Sequence, residues 1–230
     1  MKVKISPSLM CADMLHLADQ LEVLRGKADF LHVDIIDWHY VRNMCIPPFI
    51  MSQIREVSDI PMDAHLMVDN VDAELVSLCL DSGAASVVVD PQVVKRAMFR
   101  TIDLVKGRGG KIGVFINPAE SLETIAPYIH LLDRITFMTV DPGFAGQRFV
   151  PETLGKVRQA ARLKREKGYS YEIEIDGSCN KRTYREIYEA GAEIFVVGSS
   201  GLFGLNKDLN QAWEQMAREI AQAVGGNAKE

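Results

Sequence analysis

The sequence predicts a (β/α)8 (TIM) barrel built as one domain over residues 1–230. Three observations predict it. Eight short β-rich runs recur along the chain, and the intervals between them carry apolar residues at helical spacing. Most runs start some 22–38 residues apart, which is room for a strand, a helix and two turns. Eight such units fit a barrel whose usual size is about 250 residues. Alternating β and α units imply parallel strands joined by right-handed crossovers. An open doubly wound sheet is the alternative, but no Gly-x-Gly-x-x-Gly follows the first run, which weakens a dinucleotide-binding version of it.

The strand-like runs are residues 3–5, 30–34, 62–66, 86–89, 111–116, 135–140, 171–175 and 194–197. Between the first two, Asp13 can cap a helix that buries Leu15, Leu17, Ala18, Leu21 and Leu24, with Gly26 as its stop. Pro47-Pro48 opens the next helix, with Ile50, Ile54 and Val57 on one side. Residues 71–80 repeat apolar positions and end at Gly83; residues 97–105 end at Gly107. Residues 122–131 make a poorer helix, because Pro127 breaks them into a short helix and a turn. Residues 151–167 form a long helix, basic on one face, that stops at Gly168. Tyr184, Ile187 and Ala190 mark the seventh helix, ending at Gly191. The last follows Asp208 and places Leu209, Trp213, Met216, Ile220 and Val224 at helical spacing. The tail 225–230 reads as a frayed end.

Composition narrows the partners. Lys and Arg total 26 against 31 Asp and Glu, a formal net charge of −5, so no basic surplus points to nucleic acid or an anionic membrane. No window approaches the ~18 apolar residues of a membrane span. Asp13 interrupts the short apolar run near the start, which makes a poor signal peptide. Cys11, Cys45, Cys79 and Cys179 form no Cys-x-x-Cys pair and read as buried free thiols in a reducing cytoplasm. A small anionic ligand stays open, because backbone N–H groups bind phosphate without Lys or Arg.

In this fold, catalytic groups sit at the C-terminal ends of the strands. Polar residues within the apolar runs are therefore informative. The first run leads into Ser6-Pro7-Ser8; the second carries His32 and Asp34, two apart and so on one side of the strand. The third carries His65, and the seventh ends in Asp176. A single strand histidine is usually a hydrogen-bonded core residue, and His-x-Asp alone is weak. The constellation His32, Asp34, His65 and Asp176 at one barrel mouth is stronger, and suits a divalent ion such as Zn²⁺, Mn²⁺, Fe²⁺ or Co²⁺ or an acid–base site. Three glycine-rich loops follow the last strands: Asp141-Pro142-Gly143-Phe144-Ala145-Gly146-Gln147, Asp176-Gly177-Ser178 and Gly198-Ser199-Ser200-Gly201. Ordinary tight turns would explain each singly. Side by side they favour a phosphate cradle, the position where this fold often holds phosphate. A phosphate grip, a divalent ion and two carboxylates suit proton transfer beside a carbonyl: the ion stabilises an enediolate, and carboxylates on opposite faces invert the carbon.

The chain resembles ribulose-phosphate 3-epimerases along nearly its whole length. The resemblance rests on Ser6-Pro7-Ser8-Leu9, His32-Val33-Asp34-Ile35-Ile36-Asp37, Asp63-Ala64-His65-Leu66-Met67-Val68, Met138-Thr139-Val140 with the loop through Gln147, Glu174-Ile175-Asp176-Gly177, and Val197-Gly198-Ser199-Ser200. Within the family it looks closest to D-allulose-6-phosphate 3-epimerases, on three details: Asp141-Pro142-Gly143-Phe144-Ala145-Gly146, Asp176-Gly177-Ser178-Cys179-Asn180, and Gly198-Ser199-Ser200-Gly201-Leu202-Phe203. Pentose-phosphate members tend to have adjacent glycines in the first of these and a second glycine after the Asp in the next.

The resemblance implies a barrel of the ribulose-phosphate-binding type and one divalent metal ion (Zn, Mn, Fe, Co or Mg) held by His32, Asp34, His65 and Asp176. It implies that Asp34 and Asp176 are the acid–base pair. Ser8 and His65 would meet the substrate; Gly143, Phe144, Ala145, Gly146 and Gln147, with Gly177, Ser178, Gly198, Ser199 and Ser200, would hold its phosphate. A sugar-phosphate substrate and a homo-oligomer, dimer or hexamer, are implied too. The expected reaction interconverts D-allulose 6-phosphate and D-fructose 6-phosphate. The alternatives are D-ribulose 5-phosphate and D-xylulose 5-phosphate or another ketose phosphate, and, in another class, a sugar-phosphate-binding regulator without catalysis. Departures surround the site. Where the family usually reads Met-Asp-Gly-His-Phe-Val-Pro-Asn, this chain reads Ile36-Asp37-Trp38-His39-Tyr40-Val41-Arg42-Asn43, and the fourth strand ends Asp90-Pro91-Gln92 where His-x-Glu is common. Trp38 either packs under its loop or reshapes the sugar pocket.

Overall fold

The computed structural model describes residues 3–225. Nine strands form one sheet: β1 (Lys4–Pro7), β2 (Leu31–Asp37), β3 (Met44–Cys45), β4 (Met62–Met67), β5 (Ala84–Val89), β6 (Lys111–Ile116), β7 (Arg134–Met138), β8 (Glu172–Asp176) and β9 (Ile194–Val197). Their order is β1-β9-β8-β7-β6-β5-β4-β2-β3. All neighbours pair in parallel except β3, which folds back antiparallel on the end of β2. The sheet closes on itself where Ser8 bridges His32 and where the Asp29 N–H donates to Ile5 O at 3.0 Å. Eight parallel strands thus make a barrel, and β3 is an appendage at its rim.

Helices wrap the wall: α1 (Leu17–Leu24), α2 (Pro48–Val57), α3 (Ala73–Asp81), α4 (Pro91–Val94), α5 (Met98–Gly107), α6 (Leu154–Lys167), α7 (Tyr184–Ala190) and α8 (Leu209–Val224). No helix among the described residues is long and apolar enough to cross a membrane. The main apolar core lies between wall and helices, where Val33, Ile35, Ala64, Leu66, Val87 and Val114 of the strands meet Leu21, Ile54, Val76 and Val105. Gly191 ends α7 at φ +109, and a Cβ there would stand 2.6 Å from that of Ala161 on α6, so the two helices meet at a glycine.

Differences from the sequence reading have local causes. Asp13 accepts the Leu15 N–H, but it caps a 3₁₀ turn (Met14–His16) from which α1 continues. α4 was too short for any period to reveal; Asp90 caps it by accepting the Gln92 N–H. Residues 122–131 split into two 3₁₀ turns (Leu122–Ile125 and Ile129–Leu131) on either side of Pro127, which cannot continue a helix. β2 runs on to Asp37 to form the hairpin with β3. Of the tail, residues 226–230 lie outside the described part.

Much of the barrel interior is polar, beside a smaller apolar cluster of Ile36, Met67, Val88, Phe115, Met138 and Val140. Inward positions are occupied by Ser6, His32, Asp63, Ser86, Arg134, Thr136 and Glu174, all buried. Arg134 is fully buried, and its guanidinium lies 4.4 Å from the Phe30 ring centroid. Gly113 makes room for it: a Cβ there would lie 2.9 Å from Val88 Cγ2 and 3.1 Å from Arg134 Cβ. Gly113→Val is therefore expected to lower stability by about 1–3 kcal/mol through overpacking, read as a lower denaturant midpoint at unchanged slope.

Candidate active site

Alternation along the strands decides which side chains meet. His32 and Asp34 are two apart on β2 and share its inner side. The register sets Asp34 beside His65 on β4. Asp176 ends β8, three strands round the wall from β2. The four donor atoms lie within 4.8 Å of one another. His32 Nε2 is 2.9 Å from His65 Nδ1, 3.3 Å from Asp34 Oδ1 and 3.5 Å from Asp176 Oδ2. His65 Nδ1 is 3.4 Å and 3.5 Å from the same two oxygens. Both imidazoles are fully buried; the Asp176 side chain is 16 % exposed and opens onto the cleft above.

Two ring nitrogens and two carboxylate oxygens cannot face each other at these distances in a dry interior without positive charge among them. In the metal-free chain a proton supplies it. Burial pushes the His32 ring down, but the carboxylates of Asp34 and Asp176 outweigh burial and hold it well above its usual value. Burial also pushes Asp34 up, yet His32 and His65 hold its carboxyl well below the usual range. A divalent ion fits the same place. Nitrogen and oxygen donors at about 2.0–2.1 Å from a tetrahedral ion lie about 3.3–3.4 Å apart, close to the spacings measured here.

The cleft over these donors is lined by Ser8, Asp34, Asp176 and by all the glycine-loop residues expected to hold phosphate: Gly143, Phe144, Ala145, Gly146, Gln147, Gly177, Ser178, Gly198, Ser199 and Ser200. His65 is fully buried and is not among the residues that line the cleft. Ser8 donates to Asp34 Oδ2 at 2.9 Å and so orients that carboxylate. The three loops brace one another. The Ser178 hydroxyl donates to Gln147 O, and the Asn180 amide donates to Ser178 O and Ser200 Oγ. Gly177 and Ser178 both take positive φ, +115° and +51°, which curls the backbone into the cleft. At Gly177 a Cβ would lie 2.7 Å from Val140 Cγ2, so only glycine fits.

Several cleft residues went unread as site residues in the sequence, among them Met67, Met138 and Val140, which form an apolar side, and Met10, Cys11, Cys179 and Val196. In sequence the first three look like any core residue of a strand; only their place at strand ends distinguishes them. Asp63, Arg134 and Glu174 also went unread, although charged residues inside apolar runs, two before His65 and Asp176, were a visible signal. Trp38 stands at φ +71, a conformation glycine adopts freely and tryptophan rarely. It is 47 % exposed with Arg42 over its ring at 5.9 Å, and lines no part of the cleft. Asp90 is tied to the same turn: Tyr40 Oη donates to its Oδ2 at 2.6 Å.

Because the carboxylates of Asp34 and Asp176 raise the His32 pKa in the metal-free chain, protons compete with a metal ion for the ring. Adding Zn²⁺ to metal-free protein in weak buffer at neutral pH is therefore expected to release protons. The affinity should fall as pH is lowered, since acid refills the nitrogen. A metal affinity independent of pH below neutrality would contradict this.

Comparison with known proteins identifies the family. The model of the Ribulose-phosphate 3 epimerase family matches residues 4–203. Ribulose-phosphate 3-epimerase of Bacillus subtilis (strain 168) is 37 % identical over 200 residues, covering 86 % of this chain and 91 % of that protein. Ribulose-phosphate 3-epimerase of Escherichia coli (strain K12) is 36 % identical over 220 residues, covering 95 % and 96 %. Among solved structures, a 3-hexulose-6-phosphate synthase superposes with a TM-score of 0.71 at 13 % identity over 95 % of this chain and 100 % of that one, a likeness of fold alone. The chain belongs to the ribulose-phosphate 3-epimerase family, and with it to the isomerases that epimerise carbohydrates.

Proposed function

We propose that this chain is a metal-dependent 3-epimerase of ketose phosphates, with D-allulose 6-phosphate and D-fructose 6-phosphate as its substrate pair. The observation that carries the reaction is the placement of two carboxylates, Asp34 and Asp176, in one donor cluster but on strands from different sides of the barrel. Inversion at a carbon needs a proton taken from one face and returned to the other, hence two groups, each able to reach C3. A bound divalent ion would supply Lewis-acid stabilisation of the negative charge that develops on the substrate oxygens as the C3 proton leaves. His32, His65, Asp34 and Asp176 would hold it. Asp34 would serve one face, oriented by Ser8, and Asp176 the other. The braced loops after β7, β8 and β9 would grip the phosphate through backbone N–H groups, and Met67, Met138 and Val140 would keep the reacting carbon dry.

Support for the six-carbon pair comes from the loop after β8. Ser178 stands in the left-handed conformation where pentose-phosphate members tend to carry a second glycine, and its side chain locks that loop to the one after β7. The five-carbon pair, D-ribulose 5-phosphate and D-xylulose 5-phosphate, is the second reading. It is favoured by the names of the relatives at 36–37 % identity.

Metal-replete protein incubated with D-fructose 6-phosphate in D₂O should place deuterium at C3 and produce D-allulose 6-phosphate, followed by NMR. Rates measured side by side should favour the hexose phosphate; a clear preference for D-ribulose 5-phosphate would select the second reading. Exchange with neither substrate would support a binder without catalysis. Asp176→Asn is expected to lower kcat by at least about 10²–10⁴-fold, with metal content measured in parallel because the same residue is a proposed ligand. Ser178→Glu sets a carboxylate against the phosphate and should raise KM by about tenfold or more; an unchanged KM would move the phosphate elsewhere.

A further inference from the structure

Beneath the four donors the barrel interior holds a second cluster of ionisable side chains, and His32 belongs to both. Its Nε2 faces the donors above. Its Nδ1 points down, buried and without a hydrogen-bond partner, 3.6 Å from Asp63 Oδ2 and 4.0 Å from Glu174 Oε1. Asp63 is clamped on both oxygens: Arg134 Nη1 donates to Oδ2 at 2.7 Å, and Ser86 Oγ donates to Oδ1 at 2.6 Å. Arg134 Nη1 also lies 3.2 Å from Glu174 Oε2. A guanidinium already fills the place a cation would take between these carboxylates, so the lower cluster is no second metal site.

We propose that Asp63, held by Arg134 and Ser86, is the positioning residue of the metal centre, fixing the His32 ring so that Nδ1 carries the hydrogen and Nε2 offers its lone pair to the ion. The proposal rests on the reading of the upper four donors as a metal centre. Three features select Asp63. It is the acceptor nearest the orphaned nitrogen. It is completely buried, with both oxygens anchored, so it has one orientation to impose. It reaches His32 through the register, since His32 and Asp63 are direct partners across β2 and β4. A shift of about 0.5–0.7 Å brings the pair to ordinary N–H···O distance. A carboxylate behind a ligating imidazole fixes its tautomer and strengthens it as a ligand, and loss of such a partner commonly weakens metal binding about 10–100-fold. Ser86 and Arg134 act one step further out, by keeping Asp63 from turning away.

The test uses the full chain and Co²⁺ as the probe, with affinity from chelator competition and ligand geometry from the visible absorption of the bound ion. Asp63→Asn keeps the shape and removes the charge. It is expected to bind Co²⁺ about 10–100-fold more weakly and with an altered spectrum. Ser86→Ala disturbs the fold least, and covers the case in which Asp63→Asn fails to fold; releasing one oxygen of Asp63 should weaken Co²⁺ several-fold. Thr136→Val removes the hydrogen bond that Thr136 Oγ1 donates to Glu174 Oε1 at 2.8 Å and leaves Asp63 untouched, so it should bind Co²⁺ as the parent does. Parent-like affinity and spectrum in the folded Asp63 and Ser86 variants would overturn the proposal while leaving the metal centre standing. An equal loss in Thr136→Val would overturn it too, by showing a general disturbance of the barrel. Failure of the parent protein to bind Co²⁺ at all would overturn the metal centre itself.

Discussion

Charge balance in a dry barrel is the constraint on which the rest of this structure depends. Four carboxylates, those of Asp34, Asp63, Glu174 and Asp176, point into one narrow interior, and Asp34, Asp63 and Glu174 are buried. Unpaired, each would have to be neutral or would unfold the barrel. The chain meets the constraint in two storeys. Below, a permanent cation, Arg134, sits between Asp63 and Glu174; burial works against its charge, but the carboxylates of Asp63, Glu174 and Glu172 hold it cationic. Above, the positive charge is exchangeable: a proton on His32, or a divalent ion among the four donors. Among the described residues His32 belongs to both clusters, which makes it the link between the upper and lower storeys.

The division of labour between strands and loops follows. Parallel strands in register place side chains to within a fraction of an ångström, and the groups that would hold the ion and move the proton all come from strands or their immediate ends. The loops, which in the proposed reading would meet the substrate, are braced by their own hydrogen bonds rather than by the wall. The Ser178–Gln147 and Asn180–Ser200 bonds convert three separate turns into one concave surface. In the proposed reading a phosphate would meet backbone already curled toward it, so little conformational entropy would be lost on binding.

Much of this was legible because strands have a period of two. His32 with Asp34, and the polar ends at His65 and Asp176, stood out against apolar runs, and the order of glycine loops matched the end of the barrel where they lie. The helices of seven or more residues, α1, α2, α3, α5, α6, α7 and α8, could be read from their apolar spacing and their stops. What was not legible was too short or too ordinary to carry a pattern. β3 is two residues long, and α4 is four. Met67 and Met138 are indistinguishable from core until the barrel shows which end of the strand is open. Arg134 is the deeper failure. An arginine at the start of a strand reads as a solvent-facing edge, and only three acids on other strands, far apart in sequence, explain its burial.

The unusual turn after β2 can be weighed on the same terms. Of its departures from the family pattern, Trp38 and Arg42 pack on each other, while Tyr40 bonds to Asp90 and Asn117 on the rim above β5 and β6 and packs edge-on against Phe115 inside the barrel. None of them lines the cleft. What the turn does touch is the first glycine loop: Asn43 Nδ2 donates to Gly143 O at 2.7 Å, and a Cβ on Gly143 would lie 2.3 Å from Val41 Cγ2. Trp38 accepts a strained left-handed backbone, of the order of 1–3 kcal/mol, in a turn whose other end grips Gly143. The substitutions leave His32, Asp34, His65 and Asp176 themselves unchanged, and the turn that carries the substitutions fixes where the loop after β7 rests.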